Sequence, residues 1–251
     1  REAISKRELN FPFVQKTRTA GYDGRGVAII KDREDLREKL LDAPSMLEPL
    51  VDIKKEIAVI VAQNESGEIK AFPPVEMEFN PDANLVEWVV CPAQIDEETS
   101  AKATQIAIDT IKALDICGLL AVELFLTNDD EILINEVAPR PHNSGHHTID
   151  CAFTSQYQQH LRAILNWPLG ATASHTPAIM VNLLGEDGYK GQAIYENVEK
   201  CLAIDGVKMH LYGKEMTKPF RKMGHATILD ADLAKAREKA RFVKDHLKIK
   251  A

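Results

Sequence analysis

Residues 119–147, LLAVELFLTNDDEILINEVAPRPHNSGHH, constrain the fold of this chain more than any other stretch. Residues 119–126 and 132–137 are apolar, and Thr127, Asn128, Asp129 and Asp130 between them are turn formers. That is the pattern of a β-hairpin. Each strand carries one carboxylate, Glu123 and Glu136, with Asn135 beside the second. A carboxylate in an apolar strand is costly unless it is paired, metal-bound or turned to solvent. Two on neighbouring strands repel unless a cation lies between them. Carboxylate and amide oxygens suit Mg2+, which keeps substrate phosphates in its coordination sphere. A single such glutamate reads as solvent-facing. A pair followed directly by Arg140, His142, Asn143, Ser144, His146 and His147 reads as a functional site, because that loop concentrates polar chemistry beyond what folding needs. Glu123 and Glu136 are the candidate metal ligands.

Upstream, residues 11–17 form an apolar strand bearing Lys16, and residues 27–30 form another. Between them stands Thr19-Ala20-Gly21-Tyr22-Asp23-Gly24-Arg25-Gly26. Glycines permit positive φ and let backbone N–H groups approach a phosphate. Three glycines alone describe a plain hairpin turn. Tyr22, Asp23 and Arg25 at the tip, with Lys16 on the incoming strand, point to a flap over a ligand. Neither a Walker motif nor a dinucleotide fingerprint is present.

The rest alternates strands and helices. A helix is expected over 32–42, then strands over 46–51 (with Glu48), 54–63 (with Glu56), 69–72, 75–79 and 85–91. Glu76, Glu78 and Glu87 are expected on solvated faces, and residues 80–84 in a turn. Residues 96–114 carry the 3.6-residue period of an amphipathic helix, with Ala103, Ile106, Ala107, Ile111 and Leu114 on one face. A helix over 154–165 is expected to bury Tyr157, Leu161, Ile164 and Leu165. Residues 166–177 read as a linker to a C-terminal unit with strands over 178–184, 207–212 and 226–229 and helices over 192–202 and 233–247. Residues 213–222 hold Lys214, Lys218, Arg221 and Lys222. Spacing leaves this turn open between a solvated loop and a phosphate clamp.

A net charge of −7 leaves no basic footprint for nucleic acid, so an anionic substrate must be met by local cations. Cys91, Cys117, Cys151 and Cys201 form no Cys-x-x-Cys pair, which indicates neither a zinc site nor a disulfide framework. Reduced cysteines, no membrane-length apolar run and no leader sequence fit a cytoplasmic protein. His142, His146 and His147 lack the partner ligands of a usual zinc site. The first residue is Arg1 rather than Met, as in a processed chain or a fragment. A glycine-rich flap, a lysine, two metal-type carboxylates and a second cationic loop together suit phosphoryl transfer from ATP with Mg2+ onto an anionic co-substrate.

At these residues the chain resembles the ATP-grasp enzymes. Within them it is similar to the 5-(carboxyamino)imidazole ribonucleotide synthases, through GYDGRG at 21–26, INEVAPRPHNSGHHT at 134–148 and FRKMGH at 220–225. The resemblance implies an α+β, ATP-grasp fold of antiparallel sheets with flanking helices over 1–168, its flap-bearing subdomain at 13–52, plus a small C-terminal α/β unit over 169–251. It implies carboxylation of 5-aminoimidazole ribonucleotide by bicarbonate and ATP, through carboxyphosphate, with ATP and Mg2+ bound and a cytoplasmic homodimer that engages neither membrane nor nucleic acid. By position, Lys16, Gly21, Tyr22, Asp23, Gly24, Arg25, Gly26 and Val27 hold ATP phosphates. Glu48, Pro49, Leu50 and Val51 form the adenine hinge, and Glu56 takes the ribose hydroxyls. Glu123 and Glu136 hold Mg2+, with Asn135 and Glu136 also against ATP. Arg140, His142 and Asn143 are the catalytic set. Tyr22, Asp23, Arg25, Arg140, His142, Asn143 and Ser144 surround the aminoimidazole and bicarbonate. Lys214 and Arg221, helped by Lys222, clamp the ribonucleotide phosphate, which resolves the open reading of the turn. Phe79 stands where the family commonly has a histidine near the nucleotide. The family's Rossmann-like domain and the first part of its ATP-grasp domain are not among these residues, so weak or absent turnover is expected if they are the whole polypeptide. The competing readings are another ATP-grasp ligase, of the formate-dependent glycinamide ribonucleotide transformylase or biotin carboxylase type, and a nucleotide-binding fragment without turnover.

Overall fold

The computed structural model describes residues 10–19, 21, 26–80 and 85–251. Two units are distinguished by their internal packing: one comprises residues 1–53 and 80–85, the other 54–79 and 86–251. In the first, β1 (Phe13–Thr17) is the centre of a three-stranded antiparallel sheet, flanked by β2 (Val27–Ile30) and β3 (Ser45–Pro49). Gly26 closes the β1–β2 turn with φ +78°, and a Cβ there would stand 2.3 Å from Thr17 Oγ1. Only glycine meets both conditions. The helix expected over 32–42 shortens to α1 (Asp35–Glu38). Asp32 instead accepts from the N–H groups of Glu34 and Asp35, the local bonding by which aspartate competes with helix.

The second unit carries a nine-stranded sheet among the described residues. Its strands are β4 (Ile53–Gln63), β5 (Ile69–Ala71), β6 (Val75–Asn80), β7 (Leu85–Cys91), β8 (Gly118–Thr127), β9 (Ile132–Ala138), β10 (Ala178–Leu184), β13 (Val207–Leu211) and β15 (Lys222–Leu229). The order is β13-β15-β10-β7-β6-β4-β8-β9, with β5 on β4. β10 pairs with β7, so the sheet runs without interruption into the segment that follows residue 177. In β4, residues 57–62 are all buried because helices cover both faces of the sheet. α2 (Glu97–Ala113) starts at its N-cap Asp96, which accepts from Thr99 N–H. It packs Ala103, Ala107 and Ile111 against Ile57, Val59, Val61, Leu120, Val122 and Leu124. On the other face, Ala163 of α4 (Gln156–Ile164) joins Ile60, Ala62, Leu119 and Ala121. α3 (Thr148–Cys151) precedes α4.

Three expectations are corrected here. α4 buries Gln156, Gln159 and Ala163, while Tyr157, Leu161, Ile164 and Leu165 are exposed. The helix is rotated because its buried glutamines satisfy backbone groups that an apolar side chain could not. Residues 192–202 are not one helix: β11 (Gly191–Gln192) and β12 (Ile194–Glu196) precede α5 (Val198–Leu202). β11 pairs with β14 (Met216–Thr217) and β12 with β16 (Lys248–Lys250), so tertiary pairing overrides local propensity. Glu76, Glu78 and Glu87 are held in ion pairs. Arg237 and Lys244 of α6 (Leu233–His246) take Glu78 and Glu87, with Arg237 Nη1 2.9 Å from Glu78 and Lys244 Nζ 2.6 Å from Glu87. Glu76 is 8 % exposed and lies 2.7 Å from Lys55 Nζ while accepting from Gln94 N–H. Lys55→Ala strands a buried carboxylate and is expected to cost about 3 kcal/mol in chemical denaturation. A loss below about 1 kcal/mol would mean that water reaches Glu76.

Candidate functional site

Three adjacent strands, β4, β8 and β9, contribute Glu56, Glu123 and Glu136. Glu123 stands directly opposite Glu136 in the β8–β9 ladder. The register then slips, Leu124 facing Ile134, which leaves Asn135 as the extra residue of a bulge. Such bulges re-aim side chains beside active sites. Glu123 is buried and Glu56 half-buried. Burial, then the Glu136 charge, raises Glu56 to about 7. Burial, then Glu136 and Glu56, raises Glu123 to about 7, against the pull of Lys222 and Arg140. Two carboxylates that resist their own ionisation, with Glu136 beside them, fit a hard divalent cation, whose charge would reverse that resistance. Glu56, assigned above to ribose, belongs electrostatically with the other two.

The loop after β9 is cradled by one side chain, Gln156. His142 N–H donates to Gln156 Oε1 (2.9 Å), and Gln156 Nε2 donates back to the His142 carbonyl (2.8 Å). Gln156 N–H donates to Thr148 Oγ1 (2.9 Å), whose hydroxyl donates to the Gly145 carbonyl (2.6 Å). A Cβ on Gly145 would stand 2.5 Å from Gln156 Oε1, so residue 145 must be glycine for this cradle to close. His142 Nδ1 shares a hydrogen bond with Ser144 Oγ (3.0 Å), and its Nε2 lies 3.7 Å from Glu123 Oε1. Asn143 and Asn182 of β10 exchange amide hydrogen bonds (2.8 and 3.0 Å), and Asn182 also donates to the Val86 carbonyl. Among the sequence-assigned residues, Glu136 faces Glu123, His142 lies beside it and Arg140 acts on its charge, while Ser144 and Asn143 are held through His142 and Asn182.

Behind the loop, His146, His225 and His210 stack, with ring centroids 4.8 and 4.5 Å apart. Gln156 Nε2 donates to His146 Nδ1 (3.0 Å), and Tyr212 Oη meets His225 Nδ1 (3.0 Å). Burial, then His142 and Lys222, lowers His146 to about 4, and burial lowers His225 to about 3. Both imidazoles are neutral near pH 7. His210 pairs with Asp150 at 2.8 Å.

These shifts set opposing pH trends in chelator-treated protein. Glu56 and Glu123 ionise near 4.5 when unfolded and near 7 when folded, so the folded chain holds more protons between those values and stability falls as pH rises. His146 and His225 protonate near 6.5 when unfolded and near 4 and 3 when folded, so stability falls as pH drops below 6.5. Each contribution is on the order of 2 kcal/mol. In wild type the two trends oppose between pH 4.5 and 6.5. In Glu56→Gln/Glu123→Gln the first is gone, and the melting temperature is expected to rise with pH across that window. An unchanged profile would rule out the raised carboxylates.

In the cationic turn, Arg221 Nη1 donates to the Met216 carbonyl (2.7 Å), while Lys214 donates to the Lys222 carbonyl and stands over the Tyr212 ring. Lys222 acts electrostatically on both Glu123 and His146. It is thus the turn cation nearest in effect to the carboxylates. In the other unit, Lys16 Nζ meets Glu48 at 2.7 Å, and Pro49 ends β3 ahead of Leu50 and Val51. Tyr22, Asp23, Gly24 and Arg25 lie outside the described residues. Sequence reasoning missed Gln156, Asn182, Tyr212 and His210. Asn182 carried a signal, as a lone amide in the apolar run AIMVNLL; Gln156 carried none.

The chain belongs to the ATP-grasp family: residues 2–157 match its domain model. Residues 178–239 match the phosphoribosylaminoimidazole carboxylase C-terminal domain. The chain is similar to N5-carboxyaminoimidazole ribonucleotide synthase of Bacillus subtilis, with 40% identity over 226 residues, 88% of this chain and 57% of that protein. It is also similar to the crystal structure of N5-carboxyaminoimidazole ribonucleotide synthetase from Thermotoga maritima, at 48% identity and TM-score 0.90 over 99% of this chain and 65% of that one. The synthase from Aspergillus clavatus, solved with ADP and 5-aminoimidazole ribonucleotide, matches at 31% identity and TM-score 0.85, over 97% of this chain and 64% of that one. The chain spans about half the length of the curated relatives it matches, from 42% to 57%. No helix among the described residues is long and apolar enough to cross a membrane.

Proposed function

We propose that this chain carries the carboxylate site and substrate loop of a 5-(carboxyamino)imidazole ribonucleotide synthase, an ATP-dependent C–N ligase of purine biosynthesis. The observation that carries the reading is the Glu56–Glu123–Glu136 cluster with His142 Nε2 at 3.7 Å from Glu123. A bicarbonate oxygen attacks the γ-phosphorus of ATP and ADP leaves. The carboxyphosphate then passes its carbon to the exocyclic amine, which loses a proton as phosphate departs. Bicarbonate is a poor electrophile, and phosphorylation supplies the leaving group. Mg2+ held by Glu123 and Glu136, with Glu56 and Asn135 beside it, would neutralise charge on the phosphates.

The other roles follow the residues in hand. Arg140 and His142 orient the anionic reactants, with Ser144 fixing the His142 ring and Asn182 fixing Asn143. Lys222 is the cation placed to offset charge beside Glu123. Lys16 and residues 21–27 contact phosphate, residues 48–51 read adenine, and Lys214 and Arg221 meet the ribonucleotide phosphate. A cytoplasmic homodimer completes the reading. The match of residues 178–239 supports it over the formate-dependent and biotin carboxylase types.

The test is phosphate release by the 251-residue chain with Mg-ATP and bicarbonate, with and without 5-aminoimidazole ribonucleotide. Release that rises with the ribonucleotide is expected of a competent synthase. Calorimetric ATP binding without release would identify a nucleotide-binding portion. Neither binding nor release would overturn the reading.

A further inference from the structure

Away from the carboxylates, the fold gathers a second ligand set from three places in the chain. Cys91 ends β7, His147 caps the start of α3 and Cys151 ends that helix. Their sulfur and ring-nitrogen atoms lie within 4.8 Å of one another, and all three residues are buried. His147 is 1 % exposed, and neither of its ring nitrogens has a hydrogen-bond partner. A buried imidazole with both nitrogens unsatisfied is an exception that asks for a missing partner. Ser174 Oγ stands 3.4 Å from Cys91 Sγ and 3.8 Å from Cys151 Sγ, which brings an oxygen to the same point.

We propose that Cys91, Cys151 and His147 bind Zn2+, with Ser174 or a water as the fourth ligand. Tetrahedral zinc takes sulfur at about 2.3 Å and imidazole nitrogen at about 2.0–2.1 Å, which spaces ligand atoms roughly 3.5–3.8 Å apart. Binding would draw the three side chains together from the observed cluster to that spacing. The surroundings are apolar, formed by Ala58, Val75, Met77, Val89, Ala178 and Met180. Two thiolates and one Zn2+ make a neutral unit, the charge state such a shell tolerates. Binding releases both thiol protons to solvent, and no electron is transferred. This sulfur-rich set suits zinc and not Mg2+, so Mg2+ bound at the carboxylate cluster does not displace zinc here. The ion would tie the end of β7 to α3, which begins directly after His147. It would thereby anchor the loop 142–146 from behind, whatever reaction that loop serves.

The test is an anaerobic Co2+ titration of the reduced, metal-free 251-residue chain. With excess Mg2+ present, intense thiolate-to-cobalt absorption that saturates at one Co2+ per chain and is displaced by Zn2+ is expected. Cys151→Ser is expected to weaken Zn2+ binding by more than about 100-fold, beyond the usual loss of an outer partner. Cys117→Ser, at an exposed thiol, is expected to leave it unchanged. Cys91→Ser serves where Cys151→Ser does not fold. No thiolate absorption in wild type would overturn the proposal, as would absorption that survives loss of Cys91 or of Cys151. So would a Cys91–Cys151 disulfide whose reduction restores no metal uptake.

Discussion

Glu136→Ala is expected to lower Mg-dependent phosphate release by about 1000-fold or more while the melting temperature in chelator holds or rises. A metal ion's stabilisation of a transferring phosphoryl group is worth several kcal/mol, and each 1.36 kcal/mol is tenfold in rate. Glu136 is exposed on β9 at the edge of the sheet, so its loss removes little packing. It also removes the charge that, after burial, most disfavours ionised Glu56 and ionised Glu123. The apo protein is thereby relieved of repulsion at the very position the ligand needs. Stability and function should move in opposite directions, which a merely structural residue cannot produce. Thermal stabilisation by Mg-ATP, measured in parallel, should shrink in the variant. Release that survives with that stabilisation intact would remove Glu136 from the metal site.

The hairpin was legible because its signals were local. Alternation over 119–126, four turn formers and a second apolar run are read without knowing what lies opposite, and β8 and β9 fall there. Glu123 facing Glu136 follows from that hairpin once its register is known. Glu56 illustrates the limit. It is 67 residues upstream of Glu123, and its place in the cluster depends on β4 lying beside β8, a pairing of non-adjacent strands. The same holds for Glu76, Glu78 and Glu87. Their strands read as solvated, yet Lys55, Arg237 and Lys244 arrive from other elements to hold them. The 3.6-residue period misled at α4, where Tyr157 and Leu161 suggested an apolar face. There hydrogen bonding to loops decides which side is buried, and no period records it. The cysteines were judged by spacing along the chain. Cys91 and Cys151 are 60 residues apart and meet only because β7 ends beneath α3.

Gln156→Leu is expected to cost about 2–4 kcal/mol of stability, because the N–H and carbonyl of His142 lose their partners inside the protein. Its larger effect falls on the site. Gln156 also fixes His146 Nδ1, and Arg140, Asn143 and Ser144 take their positions from the loop it holds. Misplacing reacting groups by about 1 Å costs about 100-fold in rate, and that loss is expected in kcat. A control on the same helix separates positioning from stability. Gln159 is equally buried and makes the same pair of bonds, donating to the Gly170 carbonyl (3.1 Å) and accepting from Gly170 N–H (2.8 Å). Gln159→Leu should therefore destabilise the chain by a similar amount. Gly170 lies in the segment before β10 and holds none of the reacting side chains, so kcat per folded molecule should stay within a few-fold of wild type. Gln156→Glu should be intermediate, since it keeps the acceptor for His142 N–H and loses the donor to the His142 carbonyl and His146. If the two leucine variants lost kcat equally, Gln156 would be a stability residue and the cradle would have no role in positioning the loop.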